Sequence, residues 1–381
     1  MNMKSKFIKK ISEITSEDFG KISNEENYSP FFNFEFLKAL EDSKSVSEES
    51  GWISNHLTIF NKDLLEGFMP IYLKNNSHGE FVFDHQWSYA LTRAGRNYYP
   101  KLLTAIPYTP CETNKILKTE NIKYETFILE TKKFMEKEKI ETWHILFPAL
   151  ELHQMLLKNN FIKRSGYKFI WSNKDYKTFD DYLNIFTSRQ RKNIRNERDK
   201  IKKAGINFIV KDKNNLASKD WDDFYHFYKN TYYERMQKPY LNLNFFKLIH
   251  EKRHQLNPVI FFAQQDDINI AASLCFNGKS VLYGRHWGAL KNINSLHFEC
   301  CYYQGIDYCI KNNISYFDPG VQGEHKIRRG FEVTETSSFH LIIKEDFKDA
   351  IKNFCEKERK EILRYIDACK KYTPIKKEYK I

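Results

Sequence analysis

A chain of 381 residues with 41% hydrophobic and 29% charged residues is too long for one ordinary core and too apolar to remain disordered, so two domains are expected. The net charge of +12 favours an anionic partner such as a CoA, a nucleotide, RNA or a membrane surface, and the same lysines read equally well as a solvated exterior; nothing points to DNA. No stretch approaches the roughly 20 apolar residues that span a bilayer, and the charged N-terminus lacks an apolar signal core, so a cytoplasmic protein is expected. The 31 Phe and 23 Tyr call for bulky cores. Seven cysteines without a CxxC pair or Cys/His ligand spacing read as reduced, mostly buried thiols, with no metal site.

In chain order, apolar residues at helical spacing (Phe32, Phe36, Leu37, Leu40) predict a helix over 31–43. Residues 56–60 and 66–74 form a hairpin pattern, and 81–84 (FVFD) is a further strand candidate. A helix over 121–138, a strand over 143–148, a helix over 149–159 and a strand over 166–172 complete the first half. The polar run 173–181 places the boundary near 172, giving domains 1–172 and 173–381. The second half starts with a basic helix (179–204) and a strand (206–210), then helices at 220–233 and 241–254. Strands at 258–265, 268–277 and 280–289, a helix at 295–312, a strand at 315–320 and a helix at 345–371 follow. Strand–helix–strand units of this length give parallel crossovers in a mixed sheet, an α/β (α+β) fold.

The strings GWISNHL (51–57), MPIYLKNNSHGEFVFDHQW (69–87) and YYPKLLTAIPYTP (98–110) resemble the FemAB-like (peptidoglycan biosynthesis/recognition) family. In the second half SRQRKNIRNER (188–198), LYGRHWG (282–288), LHFECCYYQGIDYCI (296–310) and PGVQGEHKIRRGF (319–331) look like its remaining blocks. The chain departs from that pattern at Cys111–Lys115, where a Gly and an Arg are usual, and at His286, where a Tyr is usual. The resemblance implies tandem GNAT-like domains, each a mixed twisted sheet flanked by helices, and an acyltransferase. Its donor would be an acyl-CoA or an aminoacyl-tRNA and its acceptor an amine, on a bacterial cell-wall or lipid precursor. The competing reading is a catalytically silent GNAT-like pair that binds a peptidoglycan or lipid fragment.

Amide-forming acyl transfer needs a proton acceptor, alignment and an oxyanion donor. The densest polar cluster runs from Asp318 to Gly330 after a strand end, where open α/β sheets place ligands. Asp318 or Glu324 can accept the amine proton, and with His325 they are the catalytic candidates. Gln322, Gly323, Lys326, Arg328 and Arg329 can grip a phosphate or carboxylate. Alternatively, the glycines simply turn the chain and the charges pair internally. Arg285 and His286, adjacent on a strand and hence on opposite faces, the loop from Gly288 to Ser295, and His297 at the start of the following helix extend the donor-binding set. The Gln/Arg-x-x-Gly-x-Gly/Ala signature usual in GNAT enzymes is absent.

Residues 189–203 carry eight basic side chains against two acidic, with Arg191, Arg195, Arg198 and Lys202 on one helical stripe, a phosphate-binding face or a solvated one. In the first domain His78, Glu80, Asp84, His85 and Lys101 form a second polar set. There His78, Glu80, Asp84 and Lys101, with Arg191 and Arg195 of the basic helix, are the substrate-binding candidates.

Overall fold

The computed structural model describes residues 3–23, 29–321 and 323–379. Two compact units divide the chain, Met1–Gly166 with Glu335–Leu363, and Tyr167–Thr334 with Arg364–Ile381. Strands β9 (Ile162–Ser172) and β15 (Glu332–Ile342) and the helix Glu345–Lys371 each contain residues of both units. The division expected at 172/173 falls at the end of β9, and the chain re-enters the first unit at residue 335.

Unit 1 contains a four-stranded antiparallel sheet in the order β1–β3–β4–β7 (Met3–Ile8, His56–Asn61, Leu64–Met69, Leu117–Lys118). A second group runs β15–β8–β6–β5–β2, with β8 at Thr142–Leu146, β6 at Lys101–Thr104, β5 at Tyr72–Lys74 and β2 at Trp52–Ser54. β6 and β8 are parallel while their outer neighbours are antiparallel. The helix Tyr124–Glu138 turns Phe127, Ile128, Thr131 and Met135 inward, an i, i+1, i+4, i+8 stripe that joins Leu57, Met69, Leu102, Trp143 and Phe339 in one core. Phe127, Ile128 and Met135 each contribute about 1.5–3 kcal/mol by leaving water.

The strand expected over 81–84 is a loop. Phe81 takes a φ of 61°, which a β-strand cannot contain, and the flanking carboxylates of Glu80 and Asp84 turn to Lys101. A helix, His85–Arg93, follows at once.

Unit 2 orders its strands β10–β11–β12–β13–β14–β9. β10 is Ile206–Lys211, β11 Pro258–Gln265, β12 Ile268–Asn277, β13 Val281–Ala289 and β14 Tyr316–Asp318. All pairs are antiparallel except β13 with β14, which run parallel across a helical crossover. The predicted basic helix is two helices, Phe179–Asn184, closed by a Thr178/Asp181 capping box, and Ser188–Lys203. The latter buries only Ile194 and Ile201, seven residues apart. The crossover helix is not uniform: Leu296–Phe298 and Gln304–Lys311 are α-helical, but Glu299–Tyr303 between them forms π-helical turns, an insertion frequent at functional sites. All seven cysteines are free thiols, and six of them are buried.

Candidate functional site

In unit 2 the site forms where β13 and β14 part. Their parallel pairing covers three residue pairs, Val281–Tyr316, Leu282–Phe317 and Tyr283–Asp318. Beyond it, β13 carries a bulge against β12, because Leu274 pairs with His286 but Cys275 with Gly284, leaving Arg285 as the extra residue. The bulge resets the alternation, and the Arg285 guanidinium reaches Asp318 at 3.4 Å. Asp318, buried at the end of β14, also accepts from the Gly320 amide at 3.0 Å and lies 3.7 Å from the Lys168 ammonium.

Lys326, 1% exposed, donates to the Gly320 carbonyl at 2.7 Å. Burial pulls its ammonium down to about 8, with Asp318 favouring the charge and Arg285 opposing it. Three cations therefore surround one carboxylate, an excess of positive charge at a strand end that suits an anionic ligand.

The turn Glu324–Arg329 carries the next group. Gly323 opens it with a φ of 115°, and a Cβ there would stand 2.4 Å from the His325 ring, so only glycine lets the imidazole fold against the backbone. His325 Nε2 lies 2.8 Å from the Tyr302 hydroxyl, on the π-helical segment, and its ring packs among His297, Phe298 and Tyr302. Burial, helped by Arg329 and Lys326, holds His325 below the usual imidazole range, so the ring is neutral near pH 7. His297 is pulled further, to about 4, by burial and by His325.

Arg329 is buried and engaged. It donates to both Glu197 oxygens at 2.8 Å and to the His325 carbonyl at 2.8 Å, and its guanidinium lies 3.4 Å from the centre of the Phe298 ring. It braces the turn. Arg328 is exposed, its carbonyl accepting from Gln190 at 2.7 Å.

Glu324 is exposed and accepts from Tyr365 at 2.9 Å, so the structure ties it to the C-terminal helix instead of to His325. Gln322 lies outside the described residues. Gly288 packs on the helix Ser218–Tyr233, where a Cβ would come within 2.1 Å of the Phe227 backbone, so its glycine serves close packing. Ser295, at a φ of 70°, makes no cap bond and meets Asn294 at 3.1 Å. Burial lowers His286 to about 3, and its ring packs between Tyr228 and Phe246.

On the basic helix, Arg195 pairs with Asp180 at 3.1 Å and Arg191 meets Ser188 at 3.4 Å. Arg198 leaves the expected stripe and turns inward to Asp307 and Glu299, at 3.0 and 3.1 Å.

Unit 1 holds a second cluster. Lys101, with no exposed surface, donates to Ser77 and Glu80 at 2.8 Å each and to Asp84. Tyr98 donates to Asp84 at 2.6 Å and meets His144 Nε2 at 3.2 Å, and His144 reaches His340 at 2.6 Å. Lys74, equally buried, lies 3.9 Å over the Trp52 ring and 4.0 Å from Glu80.

Burial pushes Glu80 up to about 7 and pulls Lys74 down to about 7 and His144 to about 3. Burial also acts against the Asp84 carboxylate, but Lys101 outweighs it and holds Asp84 well below the usual range. Glu80, Asp84 and Lys101 are thus buried and bonded to one another inside the unit, each carboxylate keeping one buried oxygen without a hydrogen bond. Only His78 and His85 of that set are exposed. The sequence reading missed Lys74, Tyr98, His144 and His340 here, and Lys168, Glu197 and Tyr302 in unit 2. Lys74, Tyr98, Glu197 and Tyr302 stood within the quoted family strings, whereas Lys168, His144 and His340 carried no local signal.

Among the described residues no group of three His, Cys, Asp or Glu side chains is placed to hold a metal, and no helix is long and apolar enough to cross a membrane. The mixed α/β units, each with one parallel strand pair among antiparallel neighbours, are those of an acyltransferase-type enzyme. The chain belongs to the FemAB-like family, described as peptidoglycan biosynthesis/recognition, which matches residues 10–377. No curated protein matches it.

Among solved structures, that of FemX is similar over 89% of this chain and 98% of its own, at 12% identity and a TM-score of 0.54. The C-terminal domain of a putative lysylphosphatidylglycerol synthetase from Agrobacterium fabrum is similar over 88% and 94%, at 7% identity and a TM-score of 0.53. A conserved protein of unknown function from Bacteroides thetaiotaomicron is similar over 89% and 99%, at 10% identity and a TM-score of 0.53. At these identities the likeness is one of fold.

Proposed function

We propose that unit 2 transfers an acyl or aminoacyl group from an anionic donor, an acyl-CoA or an aminoacyl-tRNA, to an amine, and that the amine belongs to a peptidoglycan precursor. The observation that carries this reading is the neutral His325, hydrogen-bonded to Tyr302, on a turn whose next residue reaches the cation group at the end of β14. The family description supports the acceptor class. The amine nitrogen attacks the donor carbonyl and its proton passes to His325. The carbon–sulfur or carbon–oxygen bond then breaks, and the imidazolium returns the proton through Tyr302 to the departing thiolate or ribose oxygen. Arg285, Lys168 and Lys326 offset the donor's negative charge. Asp318, already held by two cations and an amide, anchors them and leaves the proton to His325.

Transfer to amine-bearing muropeptide fragments would be measured separately with acyl-CoA and with aminoacyl-tRNA, the latter with and without ribonuclease. His325→Ala should lower kcat by about 10²–10⁴ with little change in donor KM, the range for loss of a general base. Tyr302→Phe should lower it less. Full turnover in both variants would remove the site assignment. Stabilisation of the native chain by muropeptide, with no transfer from either donor, would favour a binding module instead.

A further inference from the structure

Unit 2 also contains a cavity that the transfer chemistry does not use. It measures about 310 Å³ and is walled by Ile327, Phe331, Val333, Cys369, Ile375 and Tyr379. That volume lies at the small end of ligand pockets and is about twice the roughly 150 Å³ apolar cavity that accepts benzene, so it has room for on the order of ten carbon atoms. Its walls are fixed. The tail segment that closes one side is pinned by backbone bonds from Thr187 to Pro374 at 3.0 Å and from Lys376 to Ile185 at 2.9 Å.

The polar groups in the lining are unequal. Glu332 is neutralised by Lys174 at 3.0 Å, whereas Lys370 is exposed and makes no ion pair among the described residues. The cavity therefore combines an apolar interior with one cation at its rim that no carboxylate answers. A cationic molecule would meet Lys370 as a like charge, and an anionic head group would complement it.

We propose that this cavity binds the alkyl chain of an anionic single-chain amphiphile, with about ten carbons inside and a carboxylate or phosphate head against Lys370. The site is independent of the transfer reading and would stand if that reading failed. It is nonetheless built onto the same turn, since Ile327 follows His325 by two residues and the Phe331 ring lies 5.5 Å from Tyr302. An occupant would press on the wall that carries the imidazole.

The test is calorimetric titration of the full chain with octanoate, decanoate, dodecanoate and hexadecanoate, and in a separate arm with decanoyl lysophosphatidylglycerol. One saturable site per chain is expected, strongest near ten carbons and at least tenfold weaker by sixteen. Val333→Trp should weaken decanoate at least tenfold, and Lys370→Glu severalfold. Binding in the carboxylate arm assigns a free fatty acid, and binding in the phospholipid arm alone assigns a lipid. Absence of saturable binding in both arms overturns the proposal. So does affinity that keeps rising through sixteen carbons, which is surface adsorption. Should Val333→Trp misfold, the chain-length optimum of the native protein decides.

Discussion

Replacing Lys101 by Met removes the ammonium that touches both Glu80 and Asp84 while keeping the length of the side chain. At 2.8 Å from Glu80 and an effective dielectric of 20, the lost attraction is about 6 kcal/mol before the desolvation of either charge is counted. Measured losses on breaking one side of a buried pair are about 3–5 kcal/mol, a large part of the roughly 5–15 kcal/mol that holds a domain together. The deficit should depend on pH in a definite sense. Glu80 already binds its proton up to about 7 in the folded protein, and without Lys101 that value rises further while Asp84 loses its main source of depression. The folded variant then holds protons that the unfolded chain has released, so its stability falls as pH rises from about 4 upward. Urea unfolding at pH 5 and pH 8, followed by hydrogen exchange at the β6 and β8 amides to isolate unit 1, should show the larger deficit at pH 8. Adding Glu80→Gln and Asp84→Asn to the variant should recover much of it. A loss below about 1 kcal/mol, or one equal at both pH values, would refute the reasoning that this network is held by charge.

Gly288→Ala places a methyl group 2.1 Å from the Phe227 backbone, and should cost about 3 kcal/mol, read as a Tm drop of roughly 6–12 °C. Gly20→Ala, in the exposed helix Ser16–Ile22 with nothing within 4 Å of the new carbon, should instead stabilise by about 0.5–1 kcal/mol on the same thermal scan. His286, lowered from 6.5 to about 3 by burial, makes the unfolded chain the better proton acceptor between those values. Stability should therefore decline as pH falls through that window, by at most about 1.4 kcal/mol per pH unit, and His286→Phe should flatten the decline in an acid titration of unfolding.

The two clusters are partly legible in the sequence because their members sit in the distinctive strings. Ser77, Glu80, Asp84 and Lys101 are separated by up to 24 residues yet close on one ammonium. What stayed hidden is what tertiary pairing decides. His144 and His340 meet 196 residues apart because β8 and β15 pair at those two positions, and β15 (EVTETSSFHLI) has too many hydroxyl residues to read as an apolar strand. The alternation rule put Arg285 and His286 on opposite faces, but it does not foresee a bulge, and the bulge is what aims Arg285 at Asp318. Arg198 looked like one more member of a basic stripe. Only its approach to Asp307 and Glu299, on a helix 100 residues later, turns it inward.

The interleaving of the units has a bearing on synthesis. Ser338–Ile342 form the β15 partners of β8, so a ribosome that has released the first 166 residues has released an incomplete unit with one strand flank bare. That flank stays uncovered until residue 342 has been made, and unit 2 waits longer still for 364–381. A sheet left unfinished for so long exposes an unpaired strand edge during synthesis, and a premature stop anywhere before the helix Glu345–Lys371 would leave neither unit whole.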